Sequence, residues 1–382
     1  MLFDISLYGG KVLKKVRTAT ITFHKAINYG AILQTYALQK SILKLGIDND
    51  IIDYDCKLIS NEYKFINLNS IRSFVRSFIK SFIGFRLYYC KKEKFKLFIK
   101  KYIVLTNPVT KNVLKSEEFN NKYDFFITGS DQVWNCEITN FDKTYMLDFV
   151  EDDKKKKSYA ASFGIEKIPS IYELEYKSYL EKFSTILLRE QTGARIVENL
   201  LNKKVETVLD PVFLLSKEEW NKIIKPNKFD EIQGNYILVY MPTVEMKIFA
   251  EDLSKKYNLP IYNITEPIIR KKNSFGKIES SLGPDEFISA IKNAKYVVTA
   301  SFHATVFSII YNKEFFININ SKGKSRGSRL IDLLELLGIN NREISERKIG
   351  DFSLLNWKDI NKKLQIEKER SLKNLKQMLE VE

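Results

Sequence analysis

The 382-residue chain contains only two histidines, and each stands where an apolar run gives way to a helical pattern. His303 lies in "VTASFHATVFSIIYN" (residues 298–312), and His24 lies in "TFHKAINYGAILQTYALQ" (residues 22–39). Imidazole can accept or donate a proton near neutral pH. Ligands of open α/β sheets bind where strands end and helices begin. Each histidine is therefore a candidate for acid–base or binding chemistry, and packing in the core is the alternative.

The residues around His303 predict an anion site. Ser301 is a natural N-cap, which places His303 in the first turn of the following helix. The backbone N–H groups of residues 303–305 are then expected to be free, and with the positive helix end they favour a phosphate or carboxylate. A capping or packed imidazole remains the alternative.

Two further turns carry polar side chains at predicted strand ends. Arg189 follows the apolar run of "STILLREQTGAR", and its planar guanidinium suits a phosphate or carboxylate, although an ion pair with Glu190 or another residue of the domain is the simpler interpretation. In "ITGSDQVWN", Ser130 or Asp131 either caps a helix or contacts a sugar hydroxyl, and Asp131 is also a candidate base.

Other kinds of site have little support. The chain has neither G-x-G-x-x-G nor a P-loop, no G-x-S-x-G elbow, and no H-E-x-x-H or other metal-ligand set. The basic, glycine-rich stretch "NSKGKSRGSR", which ends at Arg329, is either a solvated loop or an anion-binding lid. We expect metal-independent chemistry, without a cofactor, on an anionic substrate.

These turns need a scaffold of alternating strands and helices, which the chain provides. We predict an α/β fold of two doubly wound, Rossmann-like domains. The predicted units are an N-terminal domain at 17–220 with a basic helical insertion at 71–103, a C-terminal domain at 221–345 and a charged helical tail at 346–382.

The insertion at 71–103 carries ten Lys and Arg residues against one acid, Glu93, in a chain of formal net charge +15. Basic positions interleaved with phenylalanines are typical of a helix on an anionic membrane surface. A surface helix that packs its Phe face on the core is the alternative, and no nucleic-acid motif accompanies the patch.

Composition suggests the compartment. We predict a cytoplasmic protein, because the three cysteines are widely spaced and the sequence shows no recognisable signal peptide and no run long enough to span a membrane. Peripheral contact with the inner membrane face is a further candidate property.

Several motifs in order resemble the polysaccharide pyruvyl transferase family: "GSDQVWN", "SYAASFG", "LLREQTGARI", "VLDPVFLL" and "TASFHATVFSIIYNKEFF", within residues 19–342. Ala304 stands where the family's SFHG motif has glycine. The resemblance implies a GT-B-like pair of domains with the site in the interdomain cleft. It also implies phosphoenolpyruvate as donor substrate and a sugar of a cell-surface polysaccharide, or of its lipid-linked precursor, as acceptor.

Carried over residue by residue, the resemblance gives His303 and Arg189 catalytic roles. His303 would protonate the methylene carbon of phosphoenolpyruvate, and Arg189 would hold its phosphate or carboxylate. The donor-binding set would be Arg189, Ser301, His303, Ala304, Thr305 and Arg329. The acceptor-binding set would be His24, Asn28, Tyr29, Ser130, Asp131 and Gln132.

Two other functions stay open at this point. One is a GT-B glycosyltransferase that uses a nucleotide sugar, because fold does not decide function. The other is a non-enzymatic scaffold that binds acidic glycan or membrane through residues 71–103.

Overall fold

Two parallel sheets form the framework of the computed structural model. The described residues are 15–56, 74–265, 275–319, 327–339, 341–344 and 349–380, with residues 74–83 described by their helical backbone alone. The first sheet has the order β2-β1-β3-β4-β5-β6, and the second has the order β11-β10-β7-β8-β9. Every pairing within them is parallel.

The strands are short, and most are buried. They are β1 (Arg17–Ile21), β2 (Asp48–Ile51), β3 (Phe125–Thr128), β4 (Lys156–Ala161), β5 (Thr185–Leu188), β6 (Glu206–Thr207), β7 (Ile237–Tyr240), β8 (Ile261–Ile264), β9 (Lys277–Glu279), β10 (Tyr296–Thr299) and β11 (Glu314–Ile317). Parallel strands covered on both faces read as continuous apolar runs, and "ILVY" of β7 is buried throughout.

The α-helices are α1 (Tyr29–Lys44), α2 (Phe74–Tyr102), α3 (Lys111–Leu114), α4 (Glu117–Asn121), α5 (Cys136–Thr139), α6 (Ser170–Leu180), α7 (Gln191–Leu201), α8 (Lys217–Asn221), α9 (Lys228–Glu231), α10 (Val244–Tyr257), α11 (Pro284–Asn293), α12 (Phe302–Ile310), α13 (Ser328–Leu337) and α14 (Trp357–Leu379). Short 3-10 helices lie at Lys143–Met146, Asp153–Lys155, Pro211–Leu214 and Ile349–Asp351.

Helix α1 is buried on nearly every side, because it lies between the two halves of the molecule. It packs beside β2 and the 3-10 helix Pro211–Leu214, and it also contacts α11 and α12 of the second half. The Tyr29 ring stacks on Phe287 at a centroid distance of 4.2 Å, and its hydroxyl donates to the carbonyl of Leu282 at 3.0 Å. These contacts hold the carboxyl ends of the two sheets in apposition.

The C-terminal part of the basic helix α2 packs on the core. Phe95 and Phe98 are buried, and Lys91 is buried with its Nζ 4.7 Å from the centre of the Tyr29 ring. Lys94 pairs with Glu286 of α11 at 2.6 Å. Core packing therefore accounts for one face of α2, and among the basic residues considered for membrane contact, Arg72, Arg76, Lys80 and Lys91, the buried Lys91 cannot reach lipid. The other three lie outside the described side chains.

The tail helix α14 returns to the first sheet. Leu375, Met378 and Leu379 join a buried cluster with Leu38, Ile127 and Tyr159. The domain limits at 220 and 345 stay predictions, since the strands of the two sheets lie within 17–207 and 237–317. Over the described residues, no helix combines the length and apolarity that a membrane span requires.

Candidate active site

The ends of three strands bring together the side chains of the candidate site. Arg189 follows β5, Asp210 lies beyond β6, and His303 is the second residue of α12, which begins three residues after β10. Arg189 Nη1 lies 2.9 Å from Asp210 Oδ2, and His303 Nε2 lies 3.4 Å from the same oxygen. The two residues with predicted catalytic roles, one from each half, therefore meet at a carboxylate that we had not assigned to the site from sequence.

Asp210 is held as an anion in the interior. Burial alone would raise the pKa of Asp210, but the charges of His303 and Arg189 and the N–H of Val212 lower it well below its usual range. Its Oδ2 also accepts from Ser130 Oγ at 3.2 Å. In return, although burial lowers it, the pKa of Arg189 is raised overall, chiefly by Asp210. Glu190 Oε2 lies farther from Arg189, at 3.7 Å from Nε, so the expected ion pair forms mainly with another residue of the domain, Asp210.

A second arginine, Arg329, approaches the same place. Arg329 of α13 and Arg189 both lie over the ring of Phe302, at 5.8 and 4.9 Å from its centre. Burial and repulsion by Arg189 lower the pKa of Arg329 to about 10. No carboxylate among the described residues forms a salt bridge with Arg329, and its side chain meets the amide of Gln132, whose oxygen can face the guanidinium.

Several buried nitrogens at this point have no hydrogen-bond partner among the described residues. They are Arg329 Nε, Arg189 Nε and Nη2, and His303 Nε2; the last three face carboxylates of Glu190, Asp131 and Asp210 at 3.7, 3.8 and 3.4 Å, without a hydrogen bond. Buried N–H groups are normally satisfied, so these donors are groups that an anionic ligand with several acceptor oxygens would satisfy.

The start of α12 corrects one expectation. Ser301 is the N-cap, as predicted, and its Oγ accepts from Ala304 N at 3.4 Å. The N–H of Thr305 already donates to the carbonyl of Ser301 at 3.1 Å. The prediction of free N–H groups throughout 303–305 is therefore wrong for Ala304 and Thr305, since the cap and the first helical turn use them.

Gly30 of α1 sets the position of the His303 ring. A Cβ built on Gly30 would overlap the imidazole at Nδ1. Glycine at this point thus lets a helix of the first half approach a catalytic candidate of the second half.

The turn after β3 lies on the other side of Arg189. Ser130 is fully buried, and Asp131 Oδ1 is 3.8 Å from Arg189 Nη2. Asp131 adopts φ 81°, a left-handed conformation that costs free energy for a residue with a side chain, and it forms a bridge to Ala161 beside an irregularity in β4. Ser130, Asp131 and Gln132 therefore border the Arg189–Arg329 pair.

The remaining predicted acceptor residues are engaged in packing. His24 Nε2 is 2.9 Å from Asp53 Oδ1, which also pairs with Lys25 at 2.8 Å. Asn28 caps α1 by accepting from Ala31 N at 3.2 Å, and Tyr29 is buried between the halves. Their roles toward an acceptor stay predictions.

Asp210 and Gly30 are the residues that sequence reasoning missed. The motif "VLDPVFLL" contained a signal for Asp210, since an acid followed by Pro after an apolar run marks a strand end. Metal independence also stays a prediction. Among the described side chains, no group of three or more His, Cys, Asp and Glu residues is placed to hold a metal ion.

Comparison with solved structures gives the fold. A putative UDP-N-acetylglucosamine 2-epimerase from Listeria monocytogenes is 10% identical, with a TM-score of 0.51 over 96% of this chain and 91% of that one. The S. aureus MnaA–UDP complex is 11% identical over 94% and 90%, with a TM-score of 0.49, and the UDP-N-acetylglucosamine 2-epimerase of Rickettsia bellii is 13% identical over 95% and 96%, with a TM-score of 0.48. The first likeness, together with the two parallel sheets, supports an α/β, two-domain, GT-B-like fold, as predicted.

Comparison with sequences gives the family. No curated protein matches the chain. The family model described as polysaccharide pyruvyl transferase matches residues 28–322, well over half of the chain, and this span holds His303, Arg189 and Asp210. The chain belongs to the polysaccharide pyruvyl transferase family, as its motifs had suggested.

Proposed function

We propose that the protein transfers pyruvate from phosphoenolpyruvate to a sugar of a cell-surface polysaccharide or of its lipid-linked precursor. The product is a pyruvate ketal that bridges two sugar hydroxyls, and inorganic phosphate is released. The observation that carries the proposal is the set of unpaired nitrogens of Arg189, Arg329 and His303, because phosphoenolpyruvate presents a phosphate and a carboxylate on one small molecule.

The chemistry balances with one acid and two hydroxyls. Protonation of the methylene carbon converts it to a methyl group and leaves the adjacent carbon electrophilic. One sugar hydroxyl adds to that carbon and loses its proton. The bond from that carbon to the phosphate oxygen then breaks, and phosphate departs with its electron pair. The second hydroxyl adds to the same carbon and loses its proton, which closes the ketal; the two protons lost by the hydroxyls balance those taken up by the methylene carbon and by phosphate.

The site offers a group for each of these needs. Arg189 and Arg329 bind the donor anion with charge-assisted hydrogen bonds. His303 supplies the proton to the methylene carbon. Asp210 acts as a positioning residue, because its carboxylate contacts both Arg189 and His303. Ser301, Ala304 and Thr305 shape the start of α12 beneath the donor.

We place the acceptor beside the turn after β3. The Asp131 side chain is partly exposed and borders the guanidinium pair, so it is our candidate for orienting or deprotonating a sugar hydroxyl. Ser130 and Gln132 hold the arginines from the same turn. We retain His24, Asn28 and Tyr29 as candidates on the acceptor side.

A cytoplasmic protein at the inner membrane face is the proposed setting. Phe85 and Tyr89 of α2 are each 55% exposed, and exposed lysines follow along the same helix. Exposed aromatics with basic residues favour contact with anionic lipid, where a lipid-linked acceptor would be found.

Deuterium incorporation tests the proposal. The protein is incubated in D₂O with phosphoenolpyruvate and a glycan acceptor obtained by lipid extraction. Two quantities are measured: the phosphate released and the deuterium in the methyl group of the product. We expect phosphate release, one deuterium in the ketal methyl group, and loss of both in His303→Gln. Transfer from a UDP-sugar in place of phosphoenolpyruvate would instead support glycosyl transfer, and vesicle binding without turnover would support a scaffold.

A further inference from the structure

A cleft of about 710 Å³ lies in the first half of the molecule, away from the arginine pair. Its lining includes Tyr54, Asp55, Asn140, Phe141, Asp142 and Asp148, and we call it the distal cleft. We propose that the distal cleft binds a neutral, hydroxyl-rich sugar unit of the acceptor glycan, remote from the sugar that receives pyruvate. This inference rests on the proposed function, which it extends to a second subsite.

One wall of the distal cleft is a fixed polar network. Tyr54 donates its hydroxyl proton to Asp142 Oδ2 at 2.6 Å, and Lys111 Nζ donates to Asp142 Oδ1 at 2.9 Å. Burial alone would raise the pKa of Asp142, but these bonds and those from Thr144 lower it. Asp142 is thus an ionised carboxylate held in one orientation, which is what recognition of a particular hydroxyl requires.

The charges at the cleft disfavour an anionic ligand. Lys111 is neutralised by Asp142, and Lys143 pairs with Glu175 at 2.6 Å. Across the described part of the chain, neither Asp55 nor Asp148 has a salt-bridge partner. In a protein of net charge +15, this cleft therefore presents hydrogen-bond acceptors rather than cations. Carboxylates accept from sugar hydroxyls, whereas a phosphate or uronate would be repelled.

Aromatic and strained residues complete the lining. Phe141 packs against Tyr176 at a centroid distance of 4.4 Å, so its ring is fixed, and Phe141 and Tyr54, 7% and 8% exposed, form the firm apolar floor of the cleft. Asn140 and Phe141 have φ values of 49° and 51°, two successive left-handed residues that are not glycine. Such strain persists where surrounding structure or function requires it.

The position of the cleft suits a chain-like acceptor. Tyr54 and Asp55 follow β2, and residues 139–143 lie beyond β3, whereas Arg189 and Asp210 lie beyond β5 and β6. All are at the carboxyl edge of one sheet, where neighbouring strands are about 4.8 Å apart, so β2 and β6 are separated by roughly 24 Å. A glycan of a few sugars would follow this edge past Asp131. Asp53, which pairs with His24, directly precedes Tyr54 in the chain.

Saturation-transfer NMR tests the inference with methyl β-galactoside, methyl α-mannoside and N-acetylglucosamine as neutral probes and glucuronate as the anionic comparator. We expect saturation transfer to at least one neutral probe and less to glucuronate. Truncating two acceptors in Asp55→Ala/Asp148→Ala should weaken binding at least about fivefold, given the usual loss for each hydrogen bond. Asp252→Ala, which removes an exposed carboxylate from α10, is the matched control.

The outcomes separate the two proposals. Failure to bind any neutral probe, equal binding by the double variant, or a preference for glucuronate would overturn the distal sugar site. The Arg329→Gln variant should bind the neutral probes as the wild type does. Phosphoenolpyruvate binding, measured separately in the absence of sugar, reports on the proposed donor site and is expected to be unchanged in Asp55→Ala/Asp148→Ala.

Discussion

Gly30 and His303 meet across the two halves of the molecule, with the glycine backbone directly against the imidazole at Nδ1. Since Gly30 belongs to α1 of the first half and His303 to α12 of the second, the orientation of this ring depends on how the halves dock. The position of the His303 imidazole is therefore set by the packing between the two halves.

Gly30→Ala should displace His303. We expect phosphate release to fall steeply while the protein stays folded, because overpacking costs about 1–3 kcal/mol and alanine returns up to about 1 kcal/mol of helix propensity. Phosphate release and thermal unfolding measure the two effects. Gly350→Ala is the matched control, since a Cβ there meets nothing within 4 Å. Wild-type turnover in Gly30→Ala would show that the imidazole position is unimportant.

Arg329→Gln should separate binding from stability. The pKa of Arg329 is lowered in the folded state, to about 10, so its positive charge opposes folding when no anion is bound. We expect unchanged or higher thermal stability in the absence of ligand, with stabilisation by phosphoenolpyruvate lost. Arg370→Gln, which removes a more exposed arginine paired with Glu206 and Glu367, should keep that response. A clear drop in ligand-free stability would contradict this account of Arg329.

The His24–Asp53 pair should contribute to acid stability. The hydrogen bond from His24 lowers the pKa of Asp53 from 3.8 to about 2, although burial acts in the opposite direction. A lowered pKa gives stability that is fully present above about pH 4 and is lost as the pH falls toward about 2. Thermal unfolding from pH 7 to pH 2 should therefore show Asp53→Asn to be less stable at neutral pH, with the difference shrinking below pH 4. A constant difference across that range would refute it.

The tail helix α14 should stabilise the backbone next to Asp210 through Ser371. Its buried hydroxyl accepts from the backbone N–H of Leu209 at 2.9 Å, immediately before Asp210. Ser371→Ala leaves that N–H unpaired, at a cost of about 1–3 kcal/mol. Denaturant unfolding measures the loss, and Ser178→Ala, at an exposed serine that bonds only within its own helix, is the control. An equal free energy of unfolding for the two variants would show that the tail helix does not stabilise the chain next to Asp210.

Much of the fold could be predicted because strands such as β3, β5, β7 and β10 are apolar runs and helices such as α1, α10 and α12 begin at capping residues. The strand ends then identified Arg189 and His303 as candidates, and both lie at the site. Asp210 was overlooked although it follows an apolar run, because β6 is only two residues long and an acid before Pro is commonly a turn residue.

Long-range packing explains the other features that the sequence did not predict. The contact of Gly30 with His303 depends on docking of the halves, which no local pattern encodes. The same holds for α14, whose mostly charged sequence conceals the few residues, Leu375, Met378 and Leu379, that dock it on the first sheet. Free N–H groups at the start of α12 were overestimated because the Ser301 cap competes for them.

The most direct test of the central claim is a calorimetric titration of the purified protein with phosphoenolpyruvate, with UDP-N-acetylglucosamine as the comparison ligand. We predict saturable binding of phosphoenolpyruvate that is lost in Arg329→Gln and retained in Arg370→Gln, with no comparable response to the UDP-sugar. Binding of the UDP-sugar alone, or phosphoenolpyruvate binding that survives Arg329→Gln unchanged, would contradict a donor site between the two arginines.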